Sequence, residues 1–328
     1  MARRRQNSGE CADVYYNRLN SHLDSTHILC ALLKMTHEPL IQKLGIFYHT
    51  LAALCYIDAR DIHEPSTDVN IDAAREAGLS EDVIALIQRI PQLSDTLDWQ
   101  SILPDGSLPV FYSDDGLDWS RRPTLQDEPE IPGSAFVLTN PNIYGTSLIY
   151  DTITQTLLPW KSFGKHADYD IGEISDPFAS EDAKPVDDIL DPWIKSLISL
   201  DWLPFDDRLV EEPDVAELND AMNDADVLVQ YQSQLVQRSL KEVYVNAGWK
   251  VEAQDLESAR ENFDADEFIS QKSDWKEKTQ NVLDRAYEGM WSWQQVRNEL
   301  GGELANSERA SRLDGPLPDG QQPRQIEL

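Results

Sequence analysis

Apolar positions in the first part of the chain recur at helical spacing. Val14, Leu19 and Leu23 make one stripe. Ile28, Leu29, Leu32 and Leu33 make a second, and Leu40, Leu44, Phe47, Leu51 and Leu54 a third, at steps of three and four. Residues 11–60 therefore read as two or three helices. After Pro65, Asn70–Gly78 reads as a short helix with Gly78 as its C-cap. Ser80 is a good N-cap for the next helix, Glu81 and Asp82 suit its N-terminus, and Val83, Ile84, Ile87 and Ile90 form its buried face. Pro91 ends it.

The period then changes. Leu108–Tyr112 is a strand between the Asp105-Gly106 and Asp115-Gly116 turn signals. Ser134–Thr139 is a second strand, Tyr144–Asp151 a third and Thr152–Leu158 a fourth. The last two either follow one another or join through Asp151–Thr154 as a hairpin. Residues 105–160 are thus a small antiparallel sheet. Residues 161–185 read as a polar, acidic loop. A helix is expected from about Pro192, with Trp193, Leu197 and Leu200 on one face and Pro204 as its stop.

From Pro213 the pattern is helical again. Leu218, Met222, Ala225, Val229, Val236, Leu240 and Val243 mark a long amphipathic helix that stops near Gly248. Asp264 opens the last helix, with Phe268, Trp275 and Val282 seven apart and Gly301-Gly302 at its close. The two long helices are expected to pair as an antiparallel hairpin. The fold class is α+β. It comprises an N-terminal helical region (1–63), a sheet domain (64–210), a helical hairpin (211–304) and a tail (305–328) too poor in apolar residues to pack.

Composition narrows the function. The chain has 328 residues, with 28 Lys and Arg against 59 Asp and Glu, a net charge of −31. Such a chain repels phosphate backbones and anionic membranes, so neither nucleic acid nor a membrane is the expected partner. The charge is uneven: residues 1–60 hold seven basic and five acidic residues, while 161–220 hold 17 acidic and five basic ones. The longest apolar run, Leu44–Ile57, is too short for a membrane span and reads as a buried helix. The start has basic residues but no apolar core, unlike a signal peptide. An odd count of three cysteines and the lack of any Asn-x-Ser/Thr site fit a reducing compartment. The expected location is cytoplasmic or nuclear.

Several groups of residues carry the side-chain types that site chemistry needs. Cys11, His22, His27 and Cys30, with Cys55 and His63 further on, offer zinc-type ligands, yet His27-x-x-Cys30 is the single tight pair; Cys30 and Cys55 read better as small core residues. Asp187, Asp188 and Asp191 have the spacing of an aspartate-rich magnesium motif, since carboxylates on successive turns can bridge a hard cation. Pro192 follows at once, no second metal motif is present, and the bland reading is an acidic helix start. His166–Glu173 resembles a calcium loop but has its glycine out of register. Nucleophile elbows and phosphate-binding glycine loops are absent. No cofactor is expected and no catalytic residue stands out.

Tryptophan next to aspartate is more distinctive. Trp99, Trp119, Trp193 and Trp202 each lie beside an Asp or one residue from it. A partly exposed Trp is a typical interface anchor, and an acidic rim favours a basic partner. The alternative is that all four are core residues.

Ser80–Ile87 followed by Pro132-Gly-Ser-Ala-Phe-Val-Leu138 and Gly145-Thr-Ser-Leu-Ile-Tyr-Asp151 resembles the SUKH superfamily, the α+β domains of bacterial toxin-immunity proteins and fungal cell-wall regulators. The resemblance covers about residues 80–160 and departs from the family at Pro91-Gln92 and in the long 97–131 insert. Leu240–Trp249 and Phe263–Trp275 look similar to acidic fungal proteins of uncharacterised function. The SUKH likeness implies a protein-binding module with no catalytic residues. The expected function is a non-enzymatic interaction or regulatory protein with an acidic, Trp-bearing surface. The competing one is a metal-dependent enzyme in a biosynthetic pathway, with Asp187, Asp188 and Asp191 as ligands.

Overall fold

Pro39 in the first turn and the Leu40, Leu44, Phe47 and Leu51 stripe make Glu38–Ala53 a helix, α1, with all four of those side chains buried. The structure is a computed structural model. It describes residues 37–63, 65, 69–112, 117, 120–122, 130–142, 145–161, 182–211 and 238–287, with side chains in the last helix to Thr279. The stripes at 14–23 and 28–33, most of the long helix from Pro213, and the tail lie outside these residues.

Two short helices follow, α2 (Ile71–Glu76) and α3 (Glu81–Ile87). Asn70 and Ser80 cap them by accepting from Ala73 N and Val83 N at 3.1 and 3.3 Å. Around them run two-residue strands: β1 (Ile62–His63) pairs antiparallel with β2 (Gln92–Leu93). The strand expected over Leu108–Tyr112 shrinks to β3 (Leu108–Pro109). Pro109 has no N–H to extend a ladder.

The main sheet is antiparallel in the order β4 (Ala135–Val137), β6 (Ser147–Asp151), β7 (Thr156–Trp160), β8 (Lys184–Pro185). Just after β4, β5 (Thr139–Asn140) pairs with β3 instead. The expected fourth strand starts four residues late, because Thr152–Gln155 forms the hairpin loop and Gln155 takes φ +57. Asp151 holds that loop by accepting from Ile153 N at 2.9 Å and Thr154 Oγ1 at 3.1 Å. Successive side chains alternate faces. Phe136, Leu148, Tyr150 and Leu157 join the large core, while Ala135, Val137, Ile149, Leu158 and Trp160 join a small second one. Both faces are covered, so the strands read as nearly continuous apolar runs.

Helix α4 (Val186–Ile198) corrects the expected start at Pro192. Pro192 lies inside the helix, and α4 begins six residues earlier. Packing outweighs the local cost of the proline: Val186, Ile189, Leu190, Ile194, Leu197 and Ile198 are all buried, and α4 lies along α1. Nor is Pro204 the stop. It sits in β9 (Trp202–Phe205), which forms an antiparallel ribbon with β10 (Arg208–Glu211). The helix ends at Ile198, and the chain turns away just beyond it at Leu200, which takes φ +58.

The last part comprises α5 (238–246), α6 (Leu256–Arg260) and α7 (Ala265–Tyr287). Asp264 opens α7 as expected, accepting from Glu267 N at 3.0 Å. The rings of Tyr244 and Phe268 stack with centroids 4.1 Å apart, joining α5 to α7.

Four helix ends close alike. Residues Cys55, Gly78, Leu200 and Gly248 have φ of +52, +79, +58 and +98. In each case the residue's N–H reaches back three residues, and the next N–H reaches back five. This is the Schellman arrangement, which satisfies carbonyls that a helix end leaves free. One core cluster draws on side chains from Leu40 through Phe268. Among the described residues no helix is long and apolar enough to cross a membrane.

Candidate functional site

The segment 94–101 is short, and hydrogen bonds fix it on both sides. Ser94 caps a 3₁₀ turn, Asp95–Leu97, by accepting from Thr96 N at 3.3 Å. Leu97 turns into the core, and Gln100 N then donates to the Leu97 carbonyl at 3.0 Å. On one side, Ser94 N donates to the Asp61 carbonyl at 2.8 Å, and Thr96 Oγ1 donates to Asp61 Oδ1 at 3.3 Å. Gln100 Nε2 donates to the Tyr56 carbonyl at 2.7 Å, and Tyr56 hydroxyl donates to the Ser101 carbonyl at 2.6 Å. On the other side, Ser101 N donates to the Asp207 carbonyl at 3.0 Å, and Ser101 Oγ accepts from Leu209 N at 3.0 Å. Three chain segments, 56–61, 94–101 and 206–209, are thereby joined.

Trp99 stands on the middle segment and is 80% exposed, more than any other large apolar residue described. The same segments carry six carboxylates, two of them, Asp58 and Asp206, in ion pairs, and the other four being Asp61, Asp95, Asp98 and Asp207. Among the described residues none of these four forms an ion pair. The local cations are engaged elsewhere. Arg60 binds Asp58 at 2.6 Å and, through that hydrogen bond, holds the Asp58 carboxyl down to about 2. Lys276 binds Asp206 at 2.7 Å, and Arg208 lies over the Phe205 ring at 5.5 Å. An exposed Trp99 thus shares its hydrogen-bonded segments with four carboxylates that have no ion-pair partner among the described residues.

Trp193 and Trp202 come together with ring centroids 5.9 Å apart, and Trp193 lies 6.3 Å from Phe47. Both are half-buried and pack against the large core. Next to them Asp201 is engaged by Lys241 at 3.3 Å. No ring contact joins Trp99 to either. Trp119 lies outside the described residues.

Asp187 and Asp191 share one face of α4, one turn apart. Lys43 of α1 reaches between them, donating to Asp191 and standing 3.7 Å from Asp187 Oδ1. That hydrogen bond raises the Lys43 ammonium above its usual range. The space a metal would need between these two carboxylates is therefore held by an ammonium. Asp188 is exposed. Among the described residues no group of three His, Cys, Asp or Glu side chains is arranged to hold a metal. Cys11, His22, His27 and Cys30 lie outside them. Cys55 is a free, half-buried thiol pushed up by burial, and His63 is exposed.

One buried polar pair could be taken for acid–base machinery. His37 Nδ1 and the Tyr150 hydroxyl are 2.9 Å apart. Both residues are buried, which lowers His37 and raises Tyr150 to about 12. The pair ties the start of α1 to β6.

Sequence reasoning singled out Trp99 and Asp98 but missed Asp61, Asp95 and Asp207, which come from separate segments. It also missed Ser101, a buried serine whose N–H, carbonyl and hydroxyl are all used. Nothing in the linear pattern marks such a residue. Comparison with protein-family models, curated proteins and solved structures finds no match to this chain.

Proposed function

We propose that the protein is a non-enzymatic interaction or regulatory protein whose acidic, Trp-bearing surface receives a basic protein partner. The observation that carries this reading is the four-fifths exposed Trp99 on a segment that bears Asp95 and Asp98 and is hydrogen-bonded to those bearing Asp61 and Asp207. Leaving a large apolar ring in water is unfavourable, and unpaired carboxylates raise the local field. A basic partner relieves both at once. The segment is already ordered by its own hydrogen bonds, so little conformational freedom is lost on binding. The SUKH likeness of residues 80–160 supports the same reading. Trp193 and Trp202 are second candidates, with the half-buried faces of a paired contact.

The test is affinity capture with the wild-type chain and with Trp99→Ala, at low and at high salt. A specific partner is retained by the wild type at low salt and lost in the variant and at high salt. Equal recovery by both proteins removes Trp99 from the interface.

A further inference from the structure

Resting on that reading of the Trp99 surface, we infer that the group it recognises is an arginine side chain of the partner, not merely positive charge. Tryptophan is the strongest aromatic acceptor for a cation over its ring, and Trp99 offers that ring to solvent. A guanidinium can lie flat on an indole while its in-plane N–H groups stay free for carboxylates. Asp95 and Asp98 precede Trp99 on its own segment, and Asp61 and Asp207 stand on the two segments hydrogen-bonded to it. Among the described residues none of the four has an ion-pair partner. A lysine ammonium must shed a tighter hydration shell to sit on the ring, and it presents no planar fork. Of the nearby cations, Arg60 and Lys276 are paired with Asp58 and Asp206, and Arg208 lies over the Phe205 ring. The occupant is therefore an arginine-bearing segment of another protein, drawn in by the negative charge of these segments.

The experiment uses the full chain and two labelled peptides of equal length, one alternating arginine with glycine and one alternating lysine with glycine. Affinities are measured by fluorescence anisotropy at about 0.15 M salt, where long-range attraction is largely screened. The arginine peptide should bind about tenfold more tightly than the lysine peptide, as a cation stacked on an indole allows. Trp99→Ala should abolish that difference, and Trp99→Phe should keep part of it. Asp98→Asn should weaken both peptides while leaving their ratio above one. Equal affinities that both fall in Trp99→Ala overturn the arginine preference and leave the interaction surface standing. Peptide binding that is indifferent to Trp99→Ala overturns both. So does self-association of the chain that Trp99→Ala abolishes while neither peptide binds.

Discussion

The hydroxyl of Tyr244 donates to the backbone carbonyl of Leu54 at 2.7 Å, across 190 residues of sequence. Leu54 is the C-cap of α1, where a helix leaves carbonyls without partners. A second aromatic residue of the same turn does likewise. Trp249 Nε1 donates to the carbonyl of Ile198, the last residue of α4, at 2.9 Å. One turn at the end of α5 therefore caps both α1 and α4. Tyr244→Phe should keep the stack on Phe268 but strand the Leu54 carbonyl in the interior. The expected cost is about 1–3 kcal/mol, read as a lower denaturant midpoint. An unchanged midpoint would show that water replaces the hydroxyl.

Pro192 has no N–H for the Asp188 carbonyl one turn back, and its own ring is exposed. Pro192→Ala restores a helical hydrogen bond and removes little packing. The unfolded chain gains some freedom in return. The net expectation is a stabilisation of about 1 kcal/mol, visible as a raised midpoint. A lower midpoint would mean that the ring braces α4 against something it needs.

Cys55 and Leu200 occupy the same left-handed conformation, yet glycine should affect them oppositely. At half-buried Cys55 the strain of a side chain at φ +52 is the larger effect, so Cys55→Gly should be neutral or stabilising by up to about 1 kcal/mol. Leu200 is fully buried, so Leu200→Gly should cost about 2–4 kcal/mol despite relieving φ +58. Thermal melts of the two variants decide it, and shifts of equal sign refute the argument.

These two residues also mark where the sequence stops being legible. Gly78 and Gly248 announce helix ends in the sequence itself, since glycine is the usual residue for φ above zero. Cys55 and Leu200 do the same work without glycine, so the local pattern points to Pro204 instead as the stop of α4. Its start was misplaced for a related reason. A proline lowers local helix preference, but the buried face from Val186 to Ile198 is a tertiary fact that local preference does not contain. The capped helices α2 and α3, the main hairpin and the opening of α7 were legible because each carries its signal within a few residues. At the site, Asp98-Trp99 was visible as a pair. Which of the tryptophans faces solvent depends on neighbours far along the chain: Phe47 takes up Trp193, while Ser101 fixes the segment that leaves Trp99 outside.

His37 predicts a pH dependence. Burial, and then the nearby Arg89 charge, lower its pKa below the ordinary 6.5, with Asp82 opposing. Tyr150 faces it from β6, and Glu38 beside it is tied to Arg89 at 3.4 Å. The folded state thus binds this proton more weakly than the unfolded chain does. Stability is full above pH 6.5 and falls as the pH drops from there through the lowered folded value. Denaturation curves between pH 8 and pH 5 should show the loss, and His37→Gln should flatten it. The exposed carboxylates lowered by ion pairs or caps, such as Asp58, Glu81 and Asp255, lose their contribution only at more acid pH. An equal slope in wild type and variant over pH 8 to 5 would assign the effect to other groups.

The bond from Tyr244 to Leu54 also sets a timetable for synthesis. A ribosome adds about 5–20 residues per second, so α1 waits roughly 10–40 s for the side chain that caps its end. During that time Leu51, Leu54 and Phe47 have no complete core to enter, because α4 and the aromatic turn after it are still to be made. Late closure of this kind slows folding and exposes apolar surface in the interval. A chain truncated before residue 244 should therefore be far more prone to aggregate than the full one, and slow translation through 60–200 should lengthen its dependence on chaperones.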